Sequence, residues 1–325
     1  MAGTGIQEQL VKYLTDAHAI EEQALQQLRL APRIAGDPEL AGIFRRHLAE
    51  TEQHEALVRG RLEAHGAGPS KLKDLTMRAG GVGFALFARF QPDSPGKLTA
   101  HAYSYEHFEL ASYELLLRTA ERAGDTETAE AARRIRDEER GMGERLAGAF
   151  DRAVEVSLER VGRDDLRKQL TKNLADAHAI EAQAIQLLEK GPDIVGDEEL
   201  ARLFRQHLEE TREHLELVDE RLTALGSEPS RLKDAALRLG ALNWSLFFQA
   251  HPDTPGKLAA FAYAFEHLEI AAYELLRRVA ERADEPETVG AAEHILRQER
   301  AAAEKLAGAF DRAAEASLRA QGVAG

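Results

Sequence analysis

Cysteine is absent from the 325 residues of the chain, and this absence narrows the chemistry available to the protein. Without thiols there can be no disulfide, no iron–sulfur cluster and no zinc site built on thiolates. Any bound metal ion must therefore be held by carboxylate oxygen and imidazole nitrogen.

Aromatic residues are also scarce, at 6% of the chain, whereas the helix formers Ala, Leu, Glu and Arg are abundant. This composition favours helices packed on helices over a sheet. A chain of 325 residues is long enough for two domains, each with a substantial core. The sequence therefore predicts an all-α protein with more than one domain.

Positive charge is in deficit, with 42 Lys and Arg against 56 Asp and Glu and a formal net charge of −14. Such a surface attracts cations and argues against nucleic acid as a partner.

Long apolar runs are missing as well. The most apolar stretches, "GGVGFALFARF" and "GALNWSLFFQA", are too short to cross a bilayer. The opening stretch "MAGTGIQEQLVKYLTD" has neither an apolar core nor a cleavage site typical of a signal peptide. We therefore expect no membrane partner and a cytoplasmic location.

The second half of the chain repeats the first at a constant offset of about 160 residues, from Gln9 to Gly162, with roughly half of the positions identical. "DAHAIEEQAL" is matched by "DAHAIEAQAI", and "PDSPGKL" by "PDTPGKL". The sequence predicts two domains, 1–162 and 163–325. The short charged join predicts two docked units, an intramolecular pseudo-dimer related by a pseudo-twofold axis. The sequence is also compatible with a higher oligomer of this chain.

The sequence of each half predicts four long helices that pack as a four-helix bundle. In the first half they cover about 5–30, 37–65 (with Asp37 as N-cap and Pro38 behind it), 94–123 and 126–160. The segment 70–90 is predicted to cross between the second and third helices and to hold a short helix broken by glycines.

The stripe of each helix that should face the bundle core, traced at a spacing of three and four residues, begins and ends apolar but turns polar near its middle. The polar members in the first half are His18, Glu21, His47, Glu50, His54, Glu106, Glu109 and Glu139. Those in the second half are His178, Glu181, His207, Glu210, His214, Glu266, Glu269 and Glu299.

Five carboxylates in one helical interior need compensation, because an isolated buried carboxylate must take up a proton or find a cation. Two divalent or trivalent ions would neutralise them, and glutamate with imidazole is a ligand mixture that suits iron or manganese. The sequence therefore predicts two ions of iron or manganese in each half. The alternative is a hydrogen-bonded polar core with some carboxyls protonated.

These residues resemble the ferritin-like superfamily, and within it the stress-associated YciF-type branch. The resemblance covers each half nearly end to end. It rests on Asp16 with Glu21, the "HLAETEQH" of 47–54, the "EHFELASY" of 106–113 and the "EE" of 138–139.

The resemblance implies a tandem pair of ferritin-like bundles and assigns roles to the ligands. Glu21 and Glu106 would be terminal ligands, Glu50 and Glu139 bridging ligands, and one histidine of the second helix would complete the set. Glu181, Glu210, Glu266 and Glu299 take the same roles in the second half.

The pattern departs from the family in two places. His54 lies four residues after Glu50 and His47 three before it, so either could be the ligand, as could His214 or His207 in the second half. The fourth helix has no histidine three residues after Glu139, and Glu109 (Glu269 in the second half) could supply an oxygen ligand instead.

Two functions follow from this pattern. The first is a dimetal oxidoreductase that binds iron or manganese and reacts with oxygen or peroxide during stress. The second is a non-catalytic, stress-related interaction or structural protein whose core is polar or holds a structural metal.

Overall fold

The computed structural model describes residues 5–68, 94–161, 165–227 and 254–323, and every regular element in these ranges is an α-helix. Two compact units divide between Arg160 and Val161. The first contains α1 (Ile6–Ala35), α2 (Pro38–Ala64), α3 (Ser94–Ala123), α4 (Thr126–Gly148) and α5 (Phe150–Val161). The second contains α6 (Leu166–Ile194), α7 (Glu198–Ala224), α8 (Thr254–Arg282), α9 (Pro286–Gly308) and α10 (Phe310–Ala320).

The four long helices of each unit surround a common interior. Helix α1 packs against α2 and α3, and α4 packs against the same two helices. In the second unit α6 packs against α7 and α8, and α9 completes the ring in the same way. For the described residues, the prediction of an all-helical fold with two repeated helical bundles is confirmed, while the pseudo-twofold axis stays a prediction.

The connection between α1 and α2 shows why the helices end where they do. Gly36 adopts φ 65°, a left-handed conformation that glycine takes without a Cβ penalty. The Asp37 carboxylate then accepts hydrogen bonds from the backbone N–H groups of Glu39 and Leu40, at 3.0 and 3.1 Å, while Pro38 occupies the first turn. The predicted cap at Asp37 is therefore confirmed.

Two predicted helix bounds were wrong. Helix α1 runs on past Pro32 to Ala35, whereas the sequence predicted an end near 30. The predicted helix 126–160 is two helices, because Ala149 N–H bonds Leu146 O at 3.0 Å in a tightened turn after Gly148. The break lets Phe150 pack at 5.4 Å from the ring of Tyr103. The predicted short helix within 70–90 lies outside the described residues.

An apolar cluster in the first unit encloses the polar interior at one end of the bundle. Its buried members include Leu28, Phe44, Leu98, Met142 and Leu146, one or more from each long helix. Close packing here fixes the helices against one another and so fixes the side chains further along them. Among the described helices, none combines the length and apolar character needed to cross a bilayer.

Candidate metal centres

Helix α2 directs two histidines into the interior of the first unit. His47 and His54 are seven residues apart, about two helical turns, so they lie on one side of the helix. Both are fully buried, and their ring centroids are 6.4 Å apart. The two imidazoles therefore reach the same interior at two successive levels.

The other three long helices bring four carboxylates to these histidines. Glu21 comes from α1, Glu106 and Glu109 from neighbouring turns of α3, and Glu139 from α4. Each of the four is at most 3% exposed. The expected convergence of glutamates from three helices is what the structure shows for these residues.

The side chains form two groups that share Glu139. In one group His47, Glu106, Glu109 and Glu139 each offer an atom, and these atoms all lie within 4.8 Å of one another. In the other, Glu21, His54 and Glu139 do the same. The separate oxygens of Glu139 face the two histidines, at 3.3 Å from His47 Nε2 and 2.8 Å from His54 Nδ1.

Each histidine uses its outer ring nitrogen in a hydrogen bond to a carboxylate. His47 Nδ1 lies 2.9 Å from Glu50 Oε2, and His54 Nε2 lies 2.6 Å from Glu138 Oε2. When the outer nitrogen of a neutral imidazole donates its proton in this way, the inner nitrogen carries a lone pair. Metal-ligating histidines are commonly oriented by a carboxylate in the same manner.

The second unit repeats this geometry. His207 Nε2 lies 2.8 Å from Glu266 Oε2 and 3.3 Å from Glu299 Oε2, and His214 Nδ1 lies 2.8 Å from Glu299 Oε1. The two groups are again joined by one carboxylate, Glu299. Their members are His207, Glu266, Glu269 and Glu299 in one group, and Glu181, His214 and Glu299 in the other.

The inward-facing atoms lack hydrogen-bond partners. Both oxygens of Glu109 and of Glu139 are buried with no partner in acceptable geometry, as are His47 Nε2 and His54 Nδ1. The same atoms of their counterparts in the second unit are unsatisfied too. Buried polar atoms are normally paired, so a cluster of unpaired ones aimed at a common point is the donor set that a cation would complete. These buried His and Glu clusters could hold metal ions.

Burial governs the protonation of the glutamates. It raises the pKa of Glu21 to about 8 and that of Glu106 to about 8, from an ordinary value of 4.5. Burial, reinforced by the charge of Glu139, also raises the pKa of Glu109. Near neutral pH Glu21 and Glu106 therefore hold protons in the absence of a cation, and the pKa of Glu109 shifts in the same direction.

The pKa values of the two histidines and of Glu139 shift in the other direction, toward the charged form of each group. Burial alone would lower the pKa of His54, but the close approach of the Glu139 carboxylate, 2.8 Å from Nδ1, and the charge of Glu21 raise it to about 9. The pKa of His47 rises against burial through the charges of Glu106 and Glu139. The pKa of Glu139 falls despite its burial because both imidazoliums stabilise its anion.

Glu50 was expected among the converging carboxylates, and there the prediction differs from the structure. Its side chain is 33% exposed, and its Oε2 accepts from His47 Nδ1 and from Arg145 Nη2 at 2.6 Å. In the second unit Glu210 is 23% exposed and bonds His207 in the same way, at 3.0 Å. Glu50 and Glu210 are therefore not members of the donor groups. Each lies next to one group, where it bonds a histidine of that group.

The sequence left open which histidine of the second helix is the ligand, and in the structure both His47 and His54 face the carboxylates. Glu109 also lies within its group, as expected from its place one turn after Glu106. The Tyr113 hydroxyl donates to Glu21 Oε1 and leaves Oε2 directed at the group.

Two further histidines lie outside the shared groups. His18 Nε2 is 3.1 Å from Glu55 Oε1, and these two with Glu22 form a third group whose atoms could hold an ion. Arg59 Nη1 also lies 3.0 Å from Glu55. His107 Nδ1 bonds Tyr103 O within α3, at 2.7 Å.

Glu138 is the functional residue that sequence reasoning overlooked. Glu138 lies next to Glu139, and it was named above only within the "EE" motif of 138–139. Its side chain is 34% exposed. Its adjacency to a core glutamate was the available signal. The length of its side chain, which carries Oε2 to His54 on another helix, could be seen only in three dimensions.

Small cavities reach each centre. In the first unit a cavity of about 20 Å³ is bounded by Phe44, His101, Tyr105 and Glu106 among others. In the second, one of about 10 Å³ is bounded by Phe204, His207, Glu266 and Ala302 among others. Each volume is of the order of a single water molecule.

The protonation pattern predicts how the stability of the chelator-treated protein changes with pH. Between pH 4.5 and about 8 the folded protein holds protons on Glu21 and Glu106 that the unfolded chain has released. The free energy of unfolding therefore falls as the pH rises through this window. The raised pKa of His54 acts in the same direction between 6.5 and about 9.

We expect the melting temperature of chelator-treated protein to drop by roughly 5–10 °C between pH 5.5 and 8.5, measured by circular dichroism. The lowered pKa of Glu139 acts only below pH 4.5 and does not offset this trend. Glu106→Gln combined with Glu266→Gln should flatten the slope. A melting temperature that stays level or rises across this range would contradict the assignment.

Comparison with protein families identifies the repeated unit. A family described as a domain of unknown function, DUF892, matches the chain twice, over residues 5–159 and 165–319. The chain belongs to this family, as two consecutive copies. The matches together span the four long helices of each unit, which supports a tandem duplication.

Proposed function

We propose that each half is a ferritin-like bundle that holds two iron or manganese ions and uses them to react with oxygen or peroxide. The observation that carries the proposal is the pair of donor groups joined by one buried carboxylate, present in both halves. A shared carboxylate between two groups is the arrangement by which helical bundles hold two metal ions side by side.

Charge balance supports two divalent ions in each half. The inner set of the first half contains four carboxylates, Glu21, Glu106, Glu109 and Glu139, besides two imidazoles. Two divalent cations neutralise four carboxylates without any residual charge in the core. Glu50 and Glu138 lie outside this balance, because Arg145 and Arg134 pair with them at 2.6 and 2.9 Å.

The donor types favour iron or manganese. Carboxylate oxygen mixed with imidazole nitrogen suits both metals, and the chain offers no thiolate to draw in softer ions. Glu139 and Glu299 would bridge the ions, while Glu50 and Glu210 would orient His47 and His207. This assigns the bridging role to one glutamate in each half where the ferritin-like resemblance implied two.

Bound iron or manganese would supply Lewis acidity and one-electron redox chemistry. The chain's own residues hold the ligands in place, exclude bulk water and limit what can enter. The hydrogen bond from Tyr113 fixes Glu21, and those from His47 and His54 to Glu50 and Glu138 fix the two rings. The cavities beside the centres have volumes of the order of one water molecule, which favours a small reactant such as oxygen or peroxide over an organic substrate.

The reaction is tested by loading chelator-treated protein with Fe²⁺ or Mn²⁺ without oxygen and then adding hydrogen peroxide or dissolved oxygen. We expect consumption of the oxidant in proportion to the bound metal, followed with an oxygen or peroxide electrode. Glu139→Gln combined with Glu299→Gln should abolish it. Loaded protein that consumes neither oxidant faster than this variant would favour the non-catalytic alternative, in which the metal is structural.

A further inference from the structure

The two halves differ in one residue that touches a histidine of the candidate centre. In the first half the outer nitrogen of His54 lies 2.6 Å from the carboxylate oxygen of Glu138. In the second half the outer nitrogen of His214 lies 2.7 Å from the amide oxygen of Gln298. The hydrogen bond is the same, but its acceptor is charged in one half and neutral in the other.

The inner donor set does not share this difference. Every member of the two groups in the first half has a residue of the same type 160 positions later. The inner contacts of His54 and His214 also agree: each Nδ1 lies 2.8 Å from the shared glutamate, and at 3.9 and 3.7 Å from Glu21 and Glu181. The acceptor therefore differs in charge between the halves while the inner donor set is the same.

Both acceptors fix the same tautomer, in which Nε2–H points outward and the lone pair of Nδ1 points to the donor group. A carboxylate acceptor makes a stronger hydrogen bond than an amide acceptor, because the bond is charge-assisted. The stronger bond makes the imidazole a more basic metal ligand. Arg134 Nε bonds the other oxygen of Glu138 at 2.9 Å, which holds Oε2 toward His54.

We propose that Glu138 is a positioning residue that makes the first half bind a divalent metal ion more tightly than the second half, where Gln298 takes its place. This inference rests on the proposed dimetal function. The chain would then carry one high-affinity and one lower-affinity centre, and at limiting metal the first half would fill first.

The halves also differ near the centre at Arg145 and Lys305, which approach Glu50 and Glu210, and at Met142 and Ala302. A comparison of wild-type halves would therefore mix several effects. The reciprocal exchange of residues 138 and 298 isolates the acceptor, because glutamate and glutamine have nearly the same shape.

The experiment titrates the full-length, chelator-treated chain with Mn²⁺ and measures free Mn²⁺ by electron paramagnetic resonance. The first half is read in a Glu299→Gln background and the second in a Glu139→Gln background. We expect Glu138→Gln to weaken Mn²⁺ binding by the first half about tenfold, and Gln298→Glu to strengthen binding by the second half about tenfold. The gain in the second half is a change that damage to the fold would not produce.

Two readouts separate positioning from a general structural role. The melting temperature of chelator-treated Glu138→Gln should stay close to that of its parent, and the Nε2 proton of His54 should shift upfield in the proton spectrum as its acceptor loses charge. Glu138→Ala, which removes the acceptor, should bind more weakly than Glu138→Gln.

The possible outcomes are distinct. If each half binds Mn²⁺ and the exchanges leave both affinities unchanged, the inference about Glu138 fails and the dimetal proposal stands. If the exchanges shift the affinities in the opposite directions, the inference is likewise overturned. If neither half binds Mn²⁺ or Fe²⁺, the dimetal proposal and this inference fail together.

Discussion

Replacing Glu139 with glutamine is expected to empty the first half of metal while the second half stays loaded. Glu139 is the one carboxylate that belongs to both donor groups of its half, with one oxygen toward each histidine. Its loss therefore weakens both ions at once. Because outer partners of metal ligands already contribute 10–100-fold to affinity, we expect a loss of at least about 100-fold for this shared ligand. Elemental analysis should show the metal content of the chain halved.

The chain supplies a matched control for this substitution. Glu299→Gln should empty the second half and leave the first, and the double variant should carry no metal. Glu50→Gln, which changes a residue bonded to His47 but outside the groups, should weaken binding only about tenfold. If Glu139→Gln kept its full metal content, the shared carboxylate would not be a bridge and the arrangement proposed here would be wrong.

Removing the metal from wild-type protein is expected to lower its melting temperature substantially. A ligand that binds only the folded state stabilises it by mass action, by about 4 kcal/mol when it is present at 1,000 times its dissociation constant. Removal also leaves several buried carboxylate and imidazole atoms without a hydrogen bond of acceptable geometry. For a domain of this size each kcal/mol is worth roughly 2–4 °C, so we expect a fall of about 10 °C or more.

Calorimetry of the same preparation, with and without chelator, measures this fall. The Glu139→Gln and Glu299→Gln double variant is the control, since it should melt at one temperature under both conditions. Adding Mn²⁺ or Fe²⁺ back to the wild type should restore the higher value. A wild-type protein that melts identically with and without chelator would mean that the core is a metal-free polar network.

The inner carboxylates could be predicted because helical spacing places them unambiguously. Glu21, Glu106, Glu109 and Glu139 fall within apolar stripes, and all four are buried in the structure. The repeat made the assignment in the second half follow from the first.

Glu50 was misplaced because a stripe traced at three and four residues can be drawn in two ways between His47 and His54. At about 100° per residue, residue 50 lies roughly 60° from His47 around the helix and residue 51 roughly 40° on the other side. The interior position goes to Thr51, which is fully buried and bonds His47 O at 2.9 Å. A small residue there leaves room for the histidines, while Glu50 stays at the edge, where Arg145 can reach it.

The partners of the histidines could not be predicted from one helix at a time. The bond between His54 and Glu138 joins residues 84 positions apart, and it depends on how α2 and α4 are rotated against each other. The break at Ala149 likewise accompanies a contact between helices, that of Phe150 with Tyr103, and a pattern within one helix carries no information about it.

The metal content of the protein as isolated tests the central claim most directly. The chain should be produced in medium containing iron and manganese and purified without chelators. Its metal content is then measured by inductively coupled plasma mass spectrometry, and an optical spectrum is recorded. The dimetal account predicts about two ions of iron or manganese in each half. Protein that carries neither metal, and takes up neither when Fe²⁺ or Mn²⁺ is supplied without oxygen, would contradict it.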